Sequence, residues 1–168
     1  MGNMAPQVRA VGGGPPVIRM MPEHSGTQSF VRGAWVEKDG TSEKIKEASS
    51  NTCDIAGMAL KAASGTEDTL VPVAIAEGNE FLVSILGSGH GNVLPGDRIE
   101  IDASSCASGS SCVGVLSTEN ADGQLAVTEL DRRDTTDSPT GSAATSGARV
   151  WCRIISLADQ LDAVSQPS

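Results

Sequence analysis

Aromatic side chains are nearly missing from this chain: two Phe, two Trp and no Tyr in 168 residues. A surface so poor in rings is a weak platform for stacking sugars or single-stranded nucleic acid. Positive charge is scarce as well. Twelve Lys and Arg stand against 21 Asp and Glu, a formal net charge of −9. Nucleic acid selects a basic face, so no nucleic-acid partner is expected. No apolar run approaches the roughly 18 residues of a membrane-spanning helix. The stretch MGNMAPQVRAVGGGPPVIRMMPEH lacks the apolar run of a signal peptide. Neither a membrane partner nor Sec-type export is expected, and the site of synthesis is taken as the cytoplasm.

The chemistry-bearing residues are few. The histidines are His24 and His90. His90 sits among glycines, where a solvent-exposed ring is the expected state. Cys53, Cys106, Cys112 and Cys152 contain no Cys-x-x-Cys pair, which leaves a zinc site little support. Cys53 and Cys152 read as buried thiols. Cys106 and Cys112 flank ASGSS and are open to either free thiols or a disulfide formed outside a reducing cytosol. No dinucleotide fingerprint, P-loop, nucleophile elbow or H-E-x-x-H motif is present. Glu100 and Asp102 share one side of a predicted strand, the pattern of a solvated face rather than an acid–base couple. The expectation is a protein without enzymatic activity, without a cofactor and without a metal.

What the chain does have is Val, Ile, Leu, Ala and 19 Gly, with 39% hydrophobic residues, enough for one domain with an aliphatic core. The centre is Cys53–Gly87. It reads as strands Asp54–Ala62, Thr69–Ala76 and Glu80–Leu86, the last two joined by the turn Glu77-Gly78-Asn79. Phe81, Val83 and Ile85 fall on one face of the third. An alanine-rich helix over Ile55–Ala63 is the alternative, and Gly57 weighs against it. Before the centre, Phe30–Glu37 is a strand, Lys38-Asp39-Gly40 a hairpin turn, and Glu43–Ala48 a charged, edge-like return, with a one-turn helix as its alternative. After it come Arg98–Asp102 behind a Pro95-Gly96-Asp97 turn, then Cys112–Ser117 and Leu125–Leu130, expected to pair across Thr118–Gln124. Arg149–Ser156 is the last strand, with Val150, Cys152 and Ile154 facing one way. The polar loop 132–148 is long enough to be functional or mobile.

The fold class that follows is all-β, a small barrel or sandwich of short antiparallel strands. Residues 28–156 form the β-domain. Residues 1–27, with Gly12-Gly13-Gly14-Pro15-Pro16, show no periodicity and read as an extended N-terminal arm lying on its own domain or on a neighbour. Val17, Ile18, Met20 and Met21 are its candidate anchors. Residues 157–168 read as a short C-terminal helix or tail. Leu157, Leu161 and Val164 line one face of it, for a cap on the domain or a subunit contact.

The order of short patterns carries a resemblance. D-I-A-G-M-A-L-K-A-A-S at Asp54–Ser64, V-P-V-A-I-A-E-G at Val71–Gly78, the Pro-Gly-Asp turn and V-W-C-R-I at Val150–Ile154 follow one another. In that order the chain resembles the head-decoration, or cement, proteins of tailed bacteriophages over residues 28–156. The resemblance implies a structural virion component on the outer face of the shell, made in the host cytoplasm. Its partners would be the major capsid protein, with neighbouring capsomers tied together, and further copies of itself, a homotrimer being favoured. No catalytic residues come with it. Two rivals are carried beside it: a receptor- or glycan-binding β-module, and a small β-barrel hydrolase or cofactor carrier. For a carrier, Lys38 beside Asp39-Gly40 is the one lysine near a hairpin tip, and it lacks flanking methionines.

Overall fold

The computed structural model describes residues 7–40, 42–48, 55–86, 93–101, 114–116, 125–131 and 149–155. Eleven strands are present and no helix among the described residues. They are β1 (Gln7–Ala10), β2 (Ile18–Pro22), β3 (Trp35–Lys38), β4 (Ile45–Glu47), β5 (Ile55–Ala59) and β6 (Leu70–Ile75). Then come β7 (Asn79–Leu86), β8 (Arg98–Ile101), β9 (Gly114–Leu116), β10 (Leu125–Leu130) and β11 (Arg149–Ile154). The protein is all-β, and Ile55–Ala59 is a strand.

The strands form two sheets. The first has the order β1-β7-β11-β10-β8-β9. Its last strand returns to the first half of the sheet: β9 lies parallel to β7 through Ser84–Gly114, Ile85–Val115 and Leu86–Leu116. Strands β7, β11, β10, β8 and β9 therefore close into a small barrel. Alternation fills it, as each strand sends every second residue inward. Phe81, Val83 and Ile85, with Ile99, Ile101, Leu125, Val127, Val150, Cys152 and Ile154, belong to one buried cluster.

The second sheet has the order β2-β6-β5-β3-β4. One of its faces meets the first sheet. Trp35, Met58 and Ala74 join the barrel cluster, and Trp35 packs edge-on to Phe81 with ring centroids 5.0 Å apart. The other face holds a separate core of Met21, Phe30, Val36, Ile45, Val71 and Val73. β5 is buried along its whole length because both faces are covered. Gly57 is needed there. Its φ is +148°, and a Cβ would overlap the Ala74 carbonyl of the neighbouring strand. The sheet also bends back on itself, as Glu23 bridges Ile45 in parallel and the His24 N–H donates to the Ile45 carbonyl at 2.9 Å.

Three expectations are corrected. Of the two placements open to the N-terminal segment, on its own domain or on a neighbour, residues 7–27 take the first, but as paired strands of the sheets and not as a separate unit. β1 pairs with β7 and β2 with β6, so this segment runs as a ribbon against Leu70–Leu82 across both sheets. The domain boundary at residue 28 disappears with it. Met21 is part of the second core, only 4% exposed, and is unavailable as an anchor for a neighbour. Finally, β9 does not pair with β10. It lies between β8 and β7, and β10 lies between β11 and β8. A shared loop fixes which strands are consecutive, and barrel closure decided which are adjacent. The proposed C-terminal helix, with Leu157 and Leu161, and the 132–148 loop lie outside the described residues, as do His90, Cys53, Cys106, Cys112 and Asp102.

Candidate functional site: an open apolar strand edge

β2 is the end strand of its sheet, and β6 is its one strand neighbour among the described residues. The register sets which groups are left open. Ile75 donates its N–H to the Val17 carbonyl at 3.2 Å, and Glu23 donates to Thr69 at 2.9 Å. In an antiparallel ladder such pairs recur every second residue. Positions 17, 19, 21 and 23 therefore bond to β6. The N–H and C=O of Ile18 and Met20 face away from the sheet, whereas the Pro22 carbonyl on that side is taken up by the parallel bridge to Ile45.

The side chains follow the same alternation. Arg19 and Met21 point to the face of Val73 and Val71, and Met21 enters the second core there. Ile18 and Met20 point to the opposite face with Ala74, Pro72 and Leu70. Ala74 on that face reaches the barrel cluster, whereas Ile18 (47% exposed), Met20 (56%) and Leu70 (55%) remain open. Val17 is also exposed, at 44%. Three of the predicted anchors, Val17, Ile18 and Met20, thus come together beside an unpaired backbone edge. Leu70 joins them and was missed, since in the sequence it is one more apolar residue of a buried-looking run.

This edge is held in place from behind by Asn79, a buried residue at the start of β7. Its Oδ1 accepts the Val17 N–H at 2.9 Å, and its Nδ2 donates to the carbonyls of Val17 (2.7 Å) and Ile75 (2.9 Å). The amide thus stands in for a missing rung between β2 and β6. At the other end, the fully buried Glu23 accepts N–H groups from Ser64 (2.6 Å) and Gly65 (3.0 Å), which fixes the 64–68 loop beside β2.

The ribbon's first half is tied down by charge. Arg9 stacks over the Trp151 ring at 3.9 Å, and its guanidinium donates to Glu80 (2.7 Å) and Glu129 (2.9 Å). Arg153 donates to the other Glu80 oxygen at 3.2 Å. Burial alone would raise the Glu80 pKa, but the hydrogen bonds and charges of the two arginines outweigh it and hold the carboxyl below its usual range. Burial likewise works against the Arg9 charge, and the bonds to Glu129 and Glu80 more than offset it.

The remaining candidates are placed as follows. Lys38 Nζ lies 3.1 Å from Glu43, in an exposed ion pair at the β3–β4 hairpin. His24 Nε2 lies 3.1 Å from Asp39. Asp97 accepts the Leu94 N–H at 2.7 Å and so shapes its own turn. Cys152 is buried in the barrel, where burial first and the Glu80 charge second push its thiol pKa up. A shallow recess of about 350 Å³ lies between the ribbon and the 32–33 turn, lined by Val8, Pro16, Arg32, Met58 and Leu60 among others. All four aromatic residues, Phe30, Trp35, Phe81 and Trp151, are buried, so the surface has no ring on which a sugar could stack. The sequence matches no protein-family model, and none of the curated proteins matches it.

Proposed function

We propose that this protein is a structural component of a virion, which binds the outer face of a major capsid shell and bridges neighbouring capsomers. The observation that carries the reading is the apolar open edge of β2, where Val17, Ile18, Met20 and Leu70 surround unpaired backbone. Exposed apolar residues gathered in one place are a common mark of an interaction surface. The order of patterns shared with phage decoration proteins directs that surface to a capsid. A rigid all-β body with a barrel at its centre suits a part that must keep one shape on a lattice. Further copies of the chain, in a trimer, belong to the same reading, because several weak contacts held together multiply in strength. The glycan-binding rival finds less support, as every aromatic ring is inside.

Co-sedimentation with shells lacking this protein tests the reading. Ile18 and Met20 are each about half exposed, so covering the remainder contributes about 2–3 kcal/mol for the two together. Replacing both with Asp, as I18D/M20D, is expected to weaken binding roughly 30- to 150-fold. Binding of the parent is expected to persist as salt rises to several times physiological, because an apolar contact is not screened. No association of the parent with shells, or loss of binding at moderate salt with the double variant binding normally, rejects the reading.

A further inference from the structure

We infer that β2 receives an extended segment of the shell subunit as an added strand, bonded through the open backbone of Ile18 and Met20. The inference rests on the capsid reading and specifies how the contact is made. An edge that offers donors and acceptors at alternate residues is matched by another strand and by little else. The pairing has defined limits. Asn79 occupies the Val17 N–H at one end. At the other, Pro22 has no N–H and its carbonyl is already engaged in the parallel bridge between Glu23 and Ile45. The incoming strand therefore pairs over Ile18–Met20, three residues or about 10 Å.

The side chains state its chemistry. On the Ile18, Met20 and Leu70 face the partner presents apolar residues at alternate positions. On the opposite face it meets Arg19, which is exposed and has no ion pair among the described residues. Arg9, Lys38, Lys44, Lys46, Arg149 and Arg153 each lie within 4 Å of a carboxylate. Arg19, like the exposed Arg32 and Lys61, has no ion pair among the described residues, and of these three Arg19 alone lies on the open strand. In so acidic a chain a spare guanidinium beside an open strand selects a carboxylate on the incoming segment. A second copy of β2 is a poor occupant. Pairing two copies about Met20 would set both Arg19 side chains on one face. A three-residue ladder also falls well short of the roughly 1,000 Å² that a stable dimer buries. A shell subunit, repeated on a lattice, compensates for a small contact by offering several at once.

Hydrogen exchange and one proline variant decide the matter, with shells lacking this protein as the probe. In the free protein the amides of Ile18 and Met20 are expected to exchange fast, and those of Arg19 and Met21 slowly. On shells, all four are expected to be slow, with Ile18 and Met20 slowed at least a hundredfold. Met20→Pro removes an outward donor without touching the bonds to β6, as edge strands tolerate. It is expected to melt near the parent and to bind shells at least tenfold more weakly, with Met20→Leu binding normally. Arg19→Glu is expected to weaken binding and Arg19→Lys to retain most of it. If the Ile18 and Met20 amides stay fast on shells, strand addition is wrong, even where I18D/M20D has lost binding and the capsid reading stands. Normal binding by Met20→Pro overturns it equally. A parent that never binds shells overturns both. If Met20→Pro does not fold, the exchange pattern of the parent alone decides between strand addition and its rejection.

Discussion

Asn79→Ala should loosen the ribbon that carries the open edge, and the size of the effect can be worked out bond by bond. The side chain makes three hydrogen bonds. The Val17 carbonyl keeps the Ile75 N–H after truncation, so its loss is slight. The Val17 N–H lies at an exposed residue and can turn to water, at a net loss of about 1 kcal/mol. The Ile75 carbonyl belongs to a buried residue, and leaving it without the amide costs about 1–3 kcal/mol. The total is about 2–4 kcal/mol, or roughly 4–16 °C in Tm for a chain of this size. Asn79→Asp makes a sharper test. Its carboxylate still accepts the Val17 N–H but turns a negative oxygen toward two carbonyls. At neutral pH it should be less stable than Asn79→Ala, and acid should bring it back as the carboxyl protonates. Urea denaturation at pH 7 and pH 4 measures both variants. The reasoning fails if Asn79→Ala lies within about 0.5 kcal/mol of the parent, or if Asn79→Asp equals Asn79→Ala at both pH values.

Gly57→Ala should destabilise the protein by more than about 4 kcal/mol, because the new Cβ overlaps the Ala74 carbonyl and the φ of +148° excludes an ordinary side chain. A loss under about 1 kcal/mol in urea denaturation would contradict that backbone. Glu80→Gln should cost about 1.5–3 kcal/mol at neutral pH, the scale of hydrogen bonds to a charged group. Since the folded pKa of Glu80 is depressed, its contribution is present above the unfolded value of about 4.3 and is lost as pH falls through the folded value. The parent and Glu80→Gln should therefore converge below about pH 4, and a gap constant from pH 7 to pH 3 would show that the ion pairs contribute nothing.

The strands whose signal lies in their own side chains were legible. Thr69–Ala76 and Glu80–Leu86 were expected and Leu70–Ile75 and Asn79–Leu86 form, with Phe81, Val83 and Ile85 inward as their alternation requires. Leu125–Leu130 and the Val150, Cys152, Ile154 face also follow from alternation. The charged return after Lys38-Asp39-Gly40 became β4 at the end of its sheet. β1 and β2 were not legible as strands. QVRA and IRMMP are too short for a period, and glycines and prolines separate them. They are strands because β7 and β6 offer them backbone edges, which is a property of the partner. Asn79 was hidden for a related reason. Its residue type fits a turn, and its role as a surrogate rung depends on Val17, 62 positions away. Of the candidate site, the sequence supplied Val17, Ile18 and Met20 as apolar residues with no core of their own. It could not separate them from Met21, since which face is buried is decided by the second core.

The placement of the two tryptophans makes the chain its own optical instrument. With no tyrosine, near-ultraviolet absorbance and emission come almost wholly from Trp35 and Trp151. They watch different events. Trp35 sits against Phe81 where the two sheets meet. Trp151 lies under the Arg9 guanidinium, 3.9 Å from it, so lifting β1 uncovers one indole and leaves the other untouched. Single-tryptophan variants would separate peeling of the ribbon from collapse of the barrel within the same unlabelled molecule.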